Sequence, residues 1–256
     1  MSEMEKNPNG EIKATGKIIK WLDNFWYHYK WPTIIITFFV VVGIVCTVQV
    51  ATSDKEDILI VYGGPNSYTQ EEKAALIDVF SNILPKDING DGKKLAALST
   101  YQIFSEEQIK AMEAETDSEG RHAPKVNKSY NSSQYETYNQ QNLSGSTSIC
   151  FVDPWLYEQI NSETKATHLC PLNDELLFGS GVKVKGAIDE YAVRLGDTDI
   201  YKDYEALQKM PADTVVFLWN PFGTENIFGK SDDEVNQFER DTFVAIVGYD
   251  SSSVGA

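Results

Sequence analysis

The sequence predicts a membrane-anchored α/β protein, and three observations carry that reading. An uncharged apolar stretch lies near the N-terminus. Short β-branched runs then alternate with amphipathic helical segments, and glycine or proline turns punctuate the alternation. The expected fold is an N-terminal transmembrane helix followed by a largely parallel sheet with helices on both faces. With 42% hydrophobic and 12% aromatic residues, the 256-residue chain has apolar material for one good core and does not read as a disordered acidic polymer. Its 38 acids against 22 bases, a net −16, argue against a nucleic-acid partner, since releasing counterions from phosphate needs clustered cations. Three cysteines and three histidines exclude a disulfide scaffold and speak against a zinc site.

The anchor comes first. No charge occurs in the 23 positions between Lys30 and Asp54, whose centre runs from Ile34 to Val45 through Phe38, Phe39 and Val40. A helix from Trp31 to Ala51 would span roughly 30 Å, the thickness of a bilayer's hydrocarbon core. No small-x-small cleavage site follows Val48, and Val45 before Cys46 is not the small residue a lipoprotein site requires, so the anchor is expected to stay. Five lysines (Lys6, Lys13, Lys17, Lys20, Lys30) stand against four acids before the anchor, while the remainder carries 17 bases against 34 acids. The positive-inside rule then places the N-terminus in the cytoplasm and the acidic part outside the cell membrane. Residues 1–30 form a juxtamembrane segment, 31–52 the spanning helix and 53–256 the extracytoplasmic domain. Ile18, Leu22, Phe25, Trp26 and Tyr29 fall on one helical face. With Trp21, Tyr27 and Trp31 they suit an interfacial aromatic belt on a short helix at the inner leaflet, or a docking surface for a membrane partner.

The outer part is read element by element. Asp57–Tyr62 is a buried strand that ends at Gly63-Gly64-Pro65. Thr69 with Glu72 forms a capping box before the amphipathic helix of Leu76, Val79, Phe80 and Ile83, which Pro85 stops. Leu95–Phe104 is a second strand, and Ser105 with Gln108 opens a short helix through Met112. Residues 113–134, polar and aperiodic, read as a mobile insertion, and a polar helix follows over Ser133–Leu143. Ser148–Val152 is the third strand, and Asp153-Pro154 starts a helix through Trp155 and Tyr157, proline being tolerated in a first turn. Val182–Lys185, Glu190–Leu195 and Thr214–Trp219 complete the strands. A helix from Ser231, capped by Glu234, buries Val235, Phe238, Thr242, Ala245 and Ile246.

The order of strand, glycine turn, capped helix, strand and insertion leads to Ile149-Cys150-Phe151-Val152-Asp153-Pro154-Trp155-Leu156-Tyr157 and then Leu169-Cys170-Pro171-Leu172. Over roughly residues 57–178 this pattern resembles one lobe of the type II solute-binding proteins of ABC importers. The resemblance implies a non-catalytic, membrane-tethered domain that captures a small-molecule solute for a membrane transporter or sensor. The chain departs from that family in two ways: a spanning helix replaces the lipoprotein cysteine, and the part beyond Phe178 is short for a second lobe. The alternative is a structural or interaction protein of the cell surface with a decayed ligand pocket. The whole chain is also similar to single-pass surface proteins of Gram-positive bacteria, a likeness that implies no activity.

Two candidate sites follow. Gly63, Gly64, Ser67, Tyr68 and Thr69 lie where a strand's carboxyl end meets a helix N-terminus, and Asp153 and Trp155 would face the same edge. Free amides there favour anions, although a turn and an N-cap account for the same residues. In Asp87-Ile88-Asn89-Gly90-Asp91-Gly92, oxygens at loop positions 1, 3 and 5 with Gly at 6 match a calcium loop. Lys93 would contribute its carbonyl at position 7, while Leu98 stands where the bidentate Glu belongs. An Asn-Gly/Asp-Gly turn accounts equally for that pattern. Cys150 and Cys170 are either bridged or two buried thiols. No nucleophile elbow, HExxH, CxxC or phosphate loop occurs, so an enzyme is not expected.

Overall fold

The computed structural model describes residues 17–52, 55–114, 125–143, 148–175, 177–179, 183–220 and 233–250. The chain divides into two compact units, Met1–Ser53 and Asp54–Ala256. The described residues of the first unit form a single helix, α1 (Lys17–Thr52), of 36 residues. Its length of ~54 Å exceeds the roughly 30 Å of a bilayer core. Within it Asp23–Val48 is apolar enough to cross a membrane, and none of that stretch is buried in protein; a spanning anchor and an N-terminal signal sequence share this property. The sequence places a separate surface helix before residue 31, but α1 runs unbroken through Pro32. The reason is local: helical spacing continues from Ile18 to Tyr29 with no turn residue between. Trp21, Phe25 and Tyr29 stack along one face, with ring centroids 5.6 and 5.3 Å apart.

The second unit is built on one five-stranded sheet: β1 (Ile58–Gly64), β2 (Ala96–Gln102), β3 (Ile149–Val152), β4 (Ala192–Arg194) and β5 (Val215–Leu218). The order is β2-β1-β3-β5-β4. β1 pairs in parallel with β2 and β3, and β5 runs antiparallel to both its neighbours. The sheet is therefore mostly parallel, with β5 the reversed strand. The helices are α2 (Gln70–Ile83), α3 (Glu106–Ala114), α4 (Lys128–Leu143), α5 (Pro154–Glu158), α6 (Ser162–His168), α7 (Asp199–Asp203) and α8 (Asp233–Val247).

Alternation along the strands divides the core in two. Ile60, Tyr62, Phe151, Val216 and Leu218 face Leu76, Phe80, Phe238, Phe243 and Ile246 of α2 and α8. Val61, Cys150, Val152 and Phe217 face Tyr138, Leu156 and Tyr157 of α4 and α5. Cys150 and Cys170 therefore belong to opposite sides of the sheet, and both are free thiols rather than a bridge. Burial pushes the Cys150 thiol up to about 12.

Several expectations shift. β1 continues two residues past Tyr62, so Gly63 and Gly64 are strand and not turn. The strand expected over 182–185 is absent among its described residues. Of the expected insertion 113–134, Glu113 and Ala114 end α3 and Lys128 begins α4, while 115–124 lie outside the described residues. Ser231 also lies outside them, and α8 buries Phe243 and Val247 in addition to Phe238, Thr242 and Ile246.

Candidate functional site

In the order β2-β1-β3 the chain runs outward from β1 to β2 and then crosses back past β1 to β3, and ligands of open α/β sheets gather outside the carboxyl ends at such a reversal. The residues the sequence points to meet there. Asp153 N donates to Gly63 O and Ile103 N to Gly64 O, both at 2.8 Å. The glycines make room for the protein's own groups: a Cβ on Gly63 would lie 3.1 Å from the Tyr138 ring and 3.2 Å from Leu156, and one on Gly64 would lie 2.6 Å from the Tyr62 hydroxyl.

The start of α2 is likewise engaged from within. Glu72 N donates to Thr69 Oγ1 at 3.2 Å, and Thr69 N donates to the Glu72 carboxylate at 2.9 Å. The bonds that Thr69 N and the Thr69 hydroxyl donate to it hold the Glu72 carboxyl below its usual range. An anion arriving here would meet two acids, Glu71 and Glu72, in the first turn. Tyr68 packs edge-on against Tyr62 with ring centroids 5.0 Å apart, and burial raises both hydroxyls. Ser67 is exposed. Asp153 uses both oxygens: Oδ1 accepts from Trp155 N at 2.8 Å, capping α5, and Oδ2 accepts from Gln108 Nε2 at 2.9 Å.

Trp155 instead borders open space. It lines a cleft of about 330 Å³ with Phe104, Glu106, Asn131, Tyr135 and Glu136, beside the carboxyl ends of β2 and β3. Asn131 fixes one wall by accepting from Phe104 N at 2.8 Å and donating to Phe104 O at 2.9 Å. The sequence reading missed α4's contribution. Its signal is the stripe Asn131, Tyr135, Tyr138, Asn142, which recurs at helical spacing of four, three and four.

The 87–93 loop closes on itself. Asp87 accepts from Gly90 N and Gly92 N, each at 2.7 Å. Asn89 Oδ1 accepts from Asp91 N at 2.9 Å, and Asp91 Oδ1 accepts from Lys93 N at 2.9 Å. Gly90 and Gly92 take φ of 73° and 89°, conformations that side chains resist. These amide bonds, chiefly Gly92's, hold the Asp87 carboxyl low. Asp57, which the sequence reading passed over, ties the loop to β1: it accepts from Ile88 N, Asn89 N and Leu95 N at 3.0, 3.1 and 2.8 Å. Among the described residues no group of three His, Cys, Asp or Glu side chains is placed to hold a metal.

A third polar cluster is structural. The Tyr157 hydroxyl donates to Asp189 at 2.7 Å, Lys165 lies 3.4 Å from the same carboxylate, and its ammonium sits 3.5 Å from the centroid of the Tyr157 ring. Asp189 also accepts from Tyr191 N and Ala192 N, pinning the entry to β4.

No protein-family description, curated protein or solved structure matches this chain at a significant level.

Proposed function

We propose that this chain is a single-pass, membrane-tethered, extracytoplasmic binding protein without catalytic chemistry, which captures a small solute in the Trp155 cleft for a transporter or sensor partner. The observation that carries the proposal is that cleft: three partly exposed aromatic rings beside the carboxyl ends of β2 and β3, the two strands that flank β1 at the sheet's reversal point. Glu106 and Glu136 at its rim, in a region of net −17 after the anchor, favour a neutral or cationic solute over an anion. The described residues of 54–256 surround one sheet, so on this reading capture needs no closing of two lobes.

The test uses the full chain in lipid nanodiscs, with melting followed against organic amines, neutral solutes and organic anions. Amines should raise Tm, and Trp155→Ala should remove the rise. Failure of every class would favour the second reading, a surface interaction protein. That reading has its own support, because Gly63, Gly64, Thr69 and Asp153 are all engaged by the protein itself. Orientation is tested separately: protease outside right-side-out vesicles should digest the C-terminal part and spare the segment around Lys13. Full protection of the ectodomain would reverse the topology, and release of a soluble fragment would show cleavage at the anchor.

A further inference from the structure

On the other flank of α4 a second cleft, of about 290 Å³, opens between α4 and the α5–α6 segment. Tyr138 and Trp219, both buried, contribute aromatic surface, while Asn139, Asn142, Gln159 and Thr164 bring amides and a hydroxyl. Among the described residues no Asp, Glu, Lys or Arg lines it, in a chain where 23% of residues are charged. Asn142 is only 5% exposed and sits against the Tyr138 hydroxyl and the Cys150 thiol, so one wall of the cleft is a fixed amide.

This chemistry selects its ligand. Side-chain amides donate and accept side by side, as sugar hydroxyls do. An ion would find no countercharge among the described lining residues, and an apolar ligand would displace water from the Asn139 and Gln159 amides without replacing its hydrogen bonds. Aromatic faces suit the C–H face of a pyranose. The volume lies at the lower end for ligand pockets, about 300 Å³, which suits one ring and not a chain. We propose that this cleft binds a single neutral saccharide ring, free or at the terminus of a surface glycan. The cleft shares Tyr135 with the Trp155 cleft, but Phe104, Glu106 and Trp155 take no part in it, and its amides take no part in the other.

Saturation-transfer NMR on the full chain in nanodiscs would test it with a neutral hexose, an N-acetylhexosamine, a uronic acid, an amino acid and a short neutral peptide. A neutral sugar should receive saturation, and its Kd should weaken at least tenfold in Asn139→Ala/Gln159→Ala. These positions are half-exposed or exposed, so the variant should melt as wild type does; Thr164→Val serves as an independent second variant. Glu106→Gln, in the lining of the Trp155 cleft and outside this one, should leave sugar binding unchanged while weakening the amine response. Beads carrying the same sugar as an oligosaccharide terminus separate the two sources: retention identifies a glycan end, and binding of free sugar alone identifies a soluble one. The proposal is overturned by any of three results: no transfer to any neutral sugar, equal affinity in both cleft variants, or transfer to the peptide alone.

Discussion

The sheet face bearing Ile60, Phe151 and Val216 lies under α2 and α8, which press Leu76, Phe80, Phe238, Phe243 and Ile246 onto it. The opposite face, bearing Val61, Val152 and Phe217, lies under α4, a helix of tyrosines, serines and amides that buries only Tyr138 and Asn142, and under the short α5. One face is sealed by aliphatic and phenylalanine side chains. The other is held at a few aromatic and amide points, and two clefts open along α4 between those points. Stability is thus concentrated on the α2–α8 side, and recognition surface on the α4 side.

The largest break in this comparison should come from Phe80→Ala. Phe80 is 1% exposed and lies tilted against Phe151 with ring centroids 5.3 Å apart, so urea unfolding should show a loss of about 3–5 kcal/mol. Gly63→Ala probes the α4 side, where the new methyl meets the Tyr138 ring and Leu156 at 3.1–3.2 Å. Over-packing of this kind costs about 1–3 kcal/mol, and α4 can yield, so the loss should sit near the lower end. A loss equal to that of Phe80→Ala would show the two faces to be equally rigid.

Smaller effects belong to the 87–93 loop, at the edge of the α2 side. Calcium at tenfold excess over a Kd on the order of 0.1–1 mM would stabilise the fold by about 1.4 kcal/mol, visible as a rise of a few degrees in Tm. Asp91→Ala should abolish that rise; identical melting in chelator and in calcium would leave the loop a turn held by Asp57. The smallest effect is acidic. The Asp87 carboxyl is depressed in the folded state, so its contribution is complete above the unfolded value of about 3.9 and disappears as pH falls through the lower folded value. Asp87→Asn should therefore flatten the decline of Tm between pH 5 and pH 2, and an unchanged slope would contradict this assignment.

Features set by neighbours in sequence were legible. The Thr69–Glu72 box, the Ser105–Gln108 opening of α3, the Asp153 cap and the cores of β1, β2 and β3 all stand as read. Features set by distant partners were not. Asp57 organises amides more than thirty positions away, which no local pattern encodes. The direction of β5 depends on where β3 lies, and residues 183–185 carry strand-like side chains but make no ladder. For the site, the sequence named Gly63, Gly64, Asp153 and Trp155 as facing one edge, where Asp153 N bonds to Gly63 O. It could not show that Gln108 and Glu72 occupy that edge's polar groups, leaving Trp155 as the member beside open space.

The strand order also governs how the molecule is made. β1 leaves the ribosome before any of its neighbours, yet its partner β3 is Ile149–Val152, and α8, which covers Phe80, ends at Val247. Tertiary closure therefore waits for almost the whole chain, and contacts of such long sequence separation fold slowly. In that interval Ile58–Tyr62 can pair with β2 on one edge, while its other edge waits for β3. The excess of acids downstream keeps the nascent chain self-repelling and so delays aggregation until the last helix arrives.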